Sequence, residues 1–217
     1  MSINIEKFEQ IKTHCQKTNA NLIAVTKTQS TASILELYHL GQKNMGENKA
    51  QELCKKYEEL PNDIQWHFIG HLQSNKVEDI IDKVVLIHSV DSLKLLQTID
   101  REASKIGKIM NILLQVHIAQ EEHKYGFSKE EILEFFSSKT YEQFPHVSIK
   151  GLMGMATQTE DMDEIRNEFK TLYQLKQTIE SEHPFPLKEI SIGMSGDYSI
   201  ALEEGSTMIR VGSLLFN

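Results

Sequence analysis

A lysine at the end of a short apolar strand is the residue of this sequence with the clearest chemistry. Residues 22–25 are apolar and typical of a buried strand, and the polar trio 26–28 that follows has Lys27 as its only charge. Partial desolvation at the mouth of such a strand favours the neutral amine over the ammonium form. A neutral amine can attack an aldehyde and form a Schiff base. A lysine that simply reaches solvent is the commoner outcome, so this fragment alone leaves both interpretations open.

Two glycine-rich stretches near the end of the sequence are typical of a phosphate site. They are residues 193–196 and residues 212–213. Glycines let the backbone approach an anion closely, and we expect a helix to begin at Ser195, so that free backbone N–H groups point outward. The alternative is that Ser195 is only a helix cap, and capping and anion binding are compatible.

Two other patterns indicate ordinary roles. Gly193 and Ser195 mimic part of a nucleophile elbow, but the second glycine comes one position early and no histidine follows Ser195, which argues against a serine hydrolase. His67 and His71 are four residues apart on a strand-to-turn segment and lack the glutamate of a zinc helix. We expect satisfied or stacked histidines there and no metal site.

The elements that position these residues alternate between strands and helices. About eight short, largely apolar strands are separated by about eight helices, which predicts parallel pairing with both faces of the sheet covered. A count of eight favours an α/β fold with a single closed (β/α)8 TIM barrel over an open sheet. No helix follows the last strand, 207–211, and we expect the extra N-terminal helix, residues 2–17, to fill that gap. No linker or repeat interrupts the pattern, so we expect one domain over residues 1–217.

Local signals predict where several of these elements begin and end. We expect Asp91 to cap the helix that contains residues 95–106, and residues 128–131 to form a capping box. A long apolar strand is expected over residues 109–118, and a short helix over residues 195–204.

Bulk composition limits the classes of protein. The 217 residues have a formal net charge of −8, which argues against a general nucleic-acid partner while leaving room for a local phosphate pocket. Cys15 and Cys54 form no Cys-x-x-Cys pair. No run approaches the roughly 18 apolar residues of a membrane span, and the N-terminus lacks the apolar core of a signal peptide. We therefore expect a soluble cytoplasmic protein with no membrane partner.

Polar residues concentrate at the predicted carboxyl ends of the strands, where barrels of this class place their chemistry. Those ends are Lys27, residues 46–48, residues 67–70, residues 123–126, residues 153–155, residues 193–197 and residues 210–213.

Six motifs at these positions together resemble the pyridoxal phosphate homeostasis proteins, single-domain relatives of the alanine racemase barrel. In chain order they are residues 24–27, residues 46–48 with 51–52, residues 66–70 with 72–76, residues 151–153, residues 193–195 with 197, and residues 205–212. The match covers nearly the whole chain in the right order, and the third and last motifs are specific.

The resemblance implies that Lys27 holds pyridoxal 5′-phosphate (PLP) as a Schiff base. The other cofactor-binding residues implied in this way are Asn48 beside the ring, Arg210 against the pyridine nitrogen, and Met194, Ser195, Gly212 and Ser213 around the phosphate. Lys124 matches a family lysine near the entrance and is implied as a transient acceptor. Residues 123–126 depart from the small residues usual in the family, so we expect a different entrance.

Arg210 separates the possible functions. A guanidinium cannot give up its proton, and beside the ring nitrogen it disfavours a second positive charge, which weakens carbanion chemistry. We therefore expect a non-enzymatic protein of intracellular PLP homeostasis that holds this form of vitamin B6 and delivers it to PLP-dependent apo-enzymes. Because the predicted barrel is closed, we also expect a monomer. Two alternatives stay open. One is an amino-acid racemase that uses the same Schiff base with Tyr125 or Tyr198 as acid or base, and the other is a phosphate-binding barrel enzyme that uses no pyridoxal.

Overall fold

A closed barrel of parallel strands forms the centre of the molecule. The computed structural model describes residues 3–121, 125–183 and 185–216. Over these residues the barrel has eight strands in sequential order, each parallel to its neighbours, with β1 pairing with β8 to close the sheet. The strands are β1 Asn21–Val25, β2 Asn44–Glu47, β3 Gln65–Phe68, β4 Val84–Val90, β5 Met110–Gln115, β6 Val147–Met153, β7 Glu189–Ser191 and β8 Met208–Val211. The predicted (β/α)8 TIM barrel is confirmed.

Helices surround the barrel and cover its outer face. The α-helices are α1 Ile5–Thr18, α2 Thr31–His39, α3 Ala50–Glu59, α4 Val77–Ile80, α5 Leu93–Lys105, α6 Lys129–Ser137, α7 Met162–Glu182 and α8 Tyr198–Glu203. Short 3₁₀ turns occupy Ser74–Lys76 and Thr140–Gln143. None of the helices in the described part of the chain is long and apolar enough to cross a membrane.

Helix α1 occupies the position that a helix after β8 would take. It packs against β1 and α8, and the backbone N–H of Asn4, its N-cap, donates to the carbonyl of Leu215 at 2.9 Å. On its other side the ammonium group of Lys12 reaches the carbonyl of Leu40, which ends α2, at 3.4 Å. The expectation that an N-terminal helix completes the outer ring is therefore confirmed.

Successive side chains of each strand alternate between two apolar layers, because neighbouring residues of a strand point to opposite faces. The larger layer lies between sheet and helices and includes Trp66 and Phe68 of β3. A smaller cluster fills the inside of the barrel with Ile23, Leu86, Leu113, Met153 and Met208. The same alternation turns polar residues of β3, β4, β7 and β8 inward, and these form part of the site described below.

Two predicted helix starts are wrong, and both differences matter for the site. Ser92, not Asp91, is the N-cap of α5, since its Oγ atom accepts from the backbone N–H of Leu95 at 3.3 Å. Helix α8 begins at Tyr198 rather than at Ser195, because the Asp197 carboxylate accepts the N–H of Met194 and holds residues 194–197 in a turn.

Other boundaries follow the sequence more closely. The capping box of Ser128 and Glu131 is present in both directions and is confirmed. Strand β5 ends at Gln115, earlier than expected, because the chain there begins to pair with Phe127: the Phe127 N–H donates to the Gln115 carbonyl at 2.8 Å.

Candidate functional site

A cavity of about 480 Å³ opens at the carboxyl ends of the strands. All seven residues predicted to bind a cofactor line it, namely Lys27, Asn48, Met194, Ser195, Arg210, Gly212 and Ser213. Further lining residues, which the sequence did not single out for the cofactor, are Val25, Ile69, Gly70, His71, Gln115, Tyr125, Met155 and Gly196. The predicted entrance residue Lys124 lies outside the described residues.

Lys27 lies in the turn that follows β1 and is exposed at the mouth of this cavity. The expected desolvation of its side chain is therefore wrong. Its two neighbours, however, are fixed: the carbonyl of Thr26 accepts from the ammonium group of Lys56 at 2.8 Å, and the N–H of Thr28 donates to Glu52 at 3.2 Å. The amine is thus accessible to water while its backbone is held on both sides.

A buried ion pair beneath Lys27 supplies this support. The Lys56 ammonium lies 2.6 Å from Oε1 of Glu47, with side-chain exposures of 8% and 0%. The hydroxyl of Thr26 donates to the same Oε1 atom at 2.6 Å. Burial raises the pKa of Glu47, although Lys56 and Thr26 both oppose the shift. The sequence motif pointed to residues 46–48 without revealing that Glu47 faces the layer between sheet and helices, where it meets Lys56 of α3.

Arg210 brings a buried positive charge to the floor of the cavity. Its Nη1 atom donates to the carbonyl and the hydroxyl of Ser191 at 2.7 and 2.6 Å, and Nη2 donates to the carbonyl of Gly154 at 3.1 Å. A guanidinium has five N–H donors, so two remain without an acceptor among the described residues. Burial lowers the pKa of Arg210 to about 10, and the Asp197 carboxylate partly offsets that effect. The group therefore stays charged and offers donors to a ligand.

A chain of buried hydrogen bonds continues from Ser191 through the inside of the barrel. Ser191 Oγ lies 2.9 Å from Nδ1 of His88, His88 Nε2 lies 2.9 Å from Nδ1 of His67, and His67 Nε2 lies 3.1 Å from Oδ1 of Asn44. Since Arg210 donates to Ser191, the serine hydroxyl has its own hydrogen free for His88. Each imidazole then accepts at Nδ1 and donates at Nε2, and every member is satisfied.

Both imidazoles of this chain are neutral. Burial lowers the pKa of His67 to about 4 and holds that of His88 well below its usual range, where His67 and Arg210 add to the shift. His67 was expected to be a satisfied histidine, which is confirmed. The roles of His88 and Ser191 were not predicted, since each sits singly in an apolar strand and only the closed barrel brings them together.

The loops after β7 and β8 meet at one edge of the cavity. The hydroxyl of Ser195 accepts from the backbone N–H of Gly212 at 3.3 Å and so joins the two loops. The backbone N–H groups of Ser195, Gly196 and Ser213 donate to no acceptor among the described residues. A Cβ atom on Gly212 would lie 3.1 Å from the Val25 carbonyl, so this position favours glycine. Three free amides beside a joined pair of loops are suited to an anion.

Asn48 contributes an unpaired acceptor. Its Oδ1 atom is buried and has no hydrogen-bond partner among the described residues, and an unpaired buried acceptor costs about 1–3 kcal/mol. The backbone of Gly70 packs so closely that a Cβ atom there would lie 2.3 Å from the Asn48 carbonyl. Gly70 therefore packs closely on the backbone of Asn48, and the Oδ1 atom of Asn48 is available to a donor from a ligand.

Aromatic rings form the rim opposite these loops. The rings of His71 and Tyr125 are stacked, with centroids 3.9 Å apart and planes 18° from parallel, which confirms the expected stacked histidine. Tyr125 is 58% exposed. Tyr198, in contrast, lies on α8 against His14, with ring centroids 6.0 Å apart, and is not among the residues that line the cavity.

Taken together, the cavity offers one accessible amine, fixed donors from a buried guanidinium and free amides for an anion. These groups fit a flat ligand with a carbonyl, a ring acceptor and a phosphate. The fit rests on the chemistry of Lys27, Arg210 and the loops after β7 and β8, and on the unpaired Oδ1 atom of Asn48.

Comparison with known proteins gives full-length matches. The sequence model of the family "Alanine racemase, N-terminal domain" matches residues 5–217. A pyridoxal phosphate homeostasis protein of Aquifex aeolicus is 38% identical over 96% of this chain and 93% of its own length. A protein of the same name from Schizosaccharomyces pombe is 33% identical over 95% of this chain and 87% of its own.

Solved structures give the same result. The structure of PipY of Synechococcus elongatus with PLP bound is 32% identical, covers 98% of this chain and 99% of its own, and superposes with a TM-score of 0.88. The PipY structure without PLP superposes with a TM-score of 0.91.

Proposed function

The chain belongs to the family of the alanine racemase N-terminal domain and, within it, to the pyridoxal phosphate homeostasis proteins, and from this premise we propose that it binds PLP as a Schiff base on Lys27. We propose further that it holds the cofactor and delivers it to PLP-dependent apo-enzymes, rather than using it for catalysis. On this proposal residues 1–217 form a single PLP-binding domain that acts as a monomer in the cytoplasm.

One observation carries the proposal: an accessible amine, a buried guanidinium and an anion-binding pair of loops line the same cavity. Lys27 supplies the nucleophile, and the free amides of Ser195, Gly196 and Ser213 receive the phosphate together with Gly212 and Met194. Asn48 accepts a hydrogen bond beside the ring. When bound, PLP supplies an aldehyde for the amine and, if its ring nitrogen is protonated, an electron sink.

Arg210 supports holding over catalysis. Its two remaining N–H groups can donate to the ring nitrogen only if that nitrogen keeps a lone pair. Because the guanidinium is fixed by Ser191 and Gly154 and stays charged, it opposes protonation of its neighbour. An unprotonated ring withdraws electrons weakly, so proton removal from a bound amino acid gains little from the cofactor.

The visible spectrum of the purified protein tests the proposal. We expect a visible absorption band after addition of PLP, fixation of the adduct by borohydride, and a mass increase on the peptide that contains Lys27. Lys27→Ala is expected to abolish the band, while Lys49→Ala, which removes a 69% exposed lysine nearby, retains it. Absence of the band in the unaltered protein would favour the phosphate-binding enzyme that uses no pyridoxal.

The racemase alternative is favoured by one feature, the presence of Tyr125 among the residues that line the cavity. Incubation of the PLP-loaded protein with L-alanine in D₂O separates the two functions. We expect neither inversion nor deuterium incorporation at the α-carbon. Measurable inversion that Tyr125→Phe removes would establish the racemase instead.

A further inference from the structure

Asp91 is the residue whose predicted role the structure changes most. It follows β4, and because Ser92 caps α5, the Asp91 carboxylate is free of that task. Its Oδ2 atom lies 3.0 Å from Nδ1 of His71, and the side chains are 9% and 40% exposed, respectively. A largely buried carboxylate thus holds one nitrogen of a ring whose remainder reaches the cavity.

The ring of His71 is fixed in two ways. Asp91 accepts at Nδ1, and Tyr125 stacks on the face of the ring at 3.9 Å. Among the described residues, Nε2 has no hydrogen-bond partner. His71 and Lys27 line the same cavity. An imidazole oriented by a carboxylate, with its second nitrogen free, is the arrangement used by proton-transfer catalysts.

We propose that His71, positioned by Asp91, transfers protons during formation and breakage of the Schiff base at Lys27. This inference rests on the proposed function. Condensation of a neutral amine with an aldehyde replaces the C=O double bond by a C=N double bond, and the oxygen leaves as water that contains both hydrogens lost by the nitrogen. In each of the two transfers the ring of His71 takes one proton from the nitrogen and gives one to the oxygen, so it ends as it began.

The inference has a kinetic signature. A proton-transfer residue lowers the barrier for both directions of one reversible step, so its loss slows loading and release by the same factor. The equilibrium affinity for PLP then stays unchanged. A residue that merely contacts the bound cofactor behaves differently, because its loss weakens affinity and speeds release.

Stopped-flow measurement of the visible band with PLP as the probe tests this. His71→Ala is expected to slow both formation and release after dilution by roughly 100-fold, a value within the usual range for positioned acid–base groups. Added imidazole is expected to restore part of both rates. Asp91→Asn is expected to slow both by a smaller factor.

A matched control is available at the other end of the barrel. His146 precedes β6, lies 3.7 Å from Asp100, and is 36% exposed. His146→Ala therefore removes a similar histidine–carboxylate pair away from the cavity, and we expect unchanged rates.

The ¹⁵N NMR spectrum of His71 gives a second measurement, on the protein without cofactor. We expect Nδ1 to carry the proton, because it donates to Asp91, and we expect Asp91→Asn to alter this signal.

The outcomes separate the inference from the function on which it rests. If the unaltered protein forms no adduct, the assignment of Lys27 fails and the inference with it. If the adduct forms but His71→Ala matches the His146→Ala control, only the inference is overturned. Faster release with unchanged formation in His71→Ala also overturns it, since that result indicates a binding contact.

Discussion

The Oγ atom of Ser191 lies 2.6 Å from Nη1 of Arg210, and this contact joins the floor of the cavity to the interior of the barrel. The same hydroxyl lies 2.9 Å from Nδ1 of His88. Ser191 thus accepts from a cation and donates to a neutral imidazole. The orientation of Arg210 and the tautomer of His88 therefore depend on one small side chain.

Ser191→Ala is expected to lower the free energy of unfolding by about 2–4 kcal/mol, because a guanidinium donor and the Nδ1 atom of His88 both lose a buried partner. Urea denaturation measures the change. Ser181→Ala is the control, since the Ser181 hydroxyl bonds to the Thr178 carbonyl on the exposed face of α7, and it is expected to stay within about 0.5 kcal/mol of the unaltered protein. Equal effects of the two substitutions would contradict the series of hydrogen bonds from Arg210 through Ser191 to His88.

Acid is expected to destabilise the fold through its buried neutral histidines. Burial lowers the pKa of His67 to about 4, whereas an unfolded histidine has a pKa of about 6.5. Below that pH the unfolded chain binds more protons, so stability is complete above about pH 6.5 and falls as the pH approaches 4. His67 alone accounts for a loss of about 2 kcal/mol by about pH 5.

Urea denaturation at about pH 7.5 and about pH 5 measures this dependence. In His67→Gln the difference between the two pH values is expected to shrink by about 2 kcal/mol. His146→Gln, at the surface, is expected to keep the original difference. The interpretation is wrong if both variants show the same pH dependence.

Lys56→Met is expected to destabilise the protein by about 3–5 kcal/mol, because it leaves the carboxylate of Glu47 buried without its cation. The neighbouring Lys55 gives a matched control. Its side chain is 76% exposed and lies 3.9 Å from Glu59, so Lys55→Met is expected to change stability by less than about 1 kcal/mol. Thermal or urea denaturation of both variants measures the change in stability. A small destabilisation by Lys56→Met would contradict this prediction and indicate that Glu47 becomes protonated at little cost.

Ser195→Ala is expected to weaken PLP binding about tenfold, which corresponds to about 1.4 kcal/mol. The substitution removes the hydroxyl that joins the loops after β7 and β8 through Gly212. Pyridoxal, which lacks the phosphate, is the control ligand, and its affinity is expected to stay unchanged. Titration of the visible band measures both. An equal loss for both ligands would place Ser195 near the ring rather than near the phosphate.

The sequence carries enough information for the barrel and for the membership of the cavity. Apolar strands at regular spacing predict the fold because both faces of a parallel sheet are covered. Lys27 and Arg210 come at strand ends, so the fold itself brings them to one end of the barrel. The fold prediction depends on periodicity and on the order of the strands, whereas the cofactor roles of Asn48, Met194 and Arg210 came from the family resemblance.

Side-chain partners were harder to predict, because distant segments decide them. Asp91 and Ser92 are both good caps, but in the structure Asp91 contacts His71, which follows β3, and Ser92 caps α5. Helix α8 does not begin at Ser195, because the Asp197 carboxylate accepts the N–H of Met194 and holds these residues in a turn. The pairing of Glu47 with Lys56 likewise depends on how α3 packs. Local propensity contains none of these contacts.

The seam between β1 and β8 also determines when during synthesis the site can exist. Ile23 and Arg210 are partners across this seam although nearly the whole sequence separates them. On the ribosome, β1 emerges early and keeps an unpaired edge until β8 follows. Arg210 and the loop with Gly212 arrive with the segment that closes the sheet. A ligand that needs Arg210 and this loop therefore cannot assist folding before the last strand is made, and growing chains are expected to need protection of that open edge by chaperones.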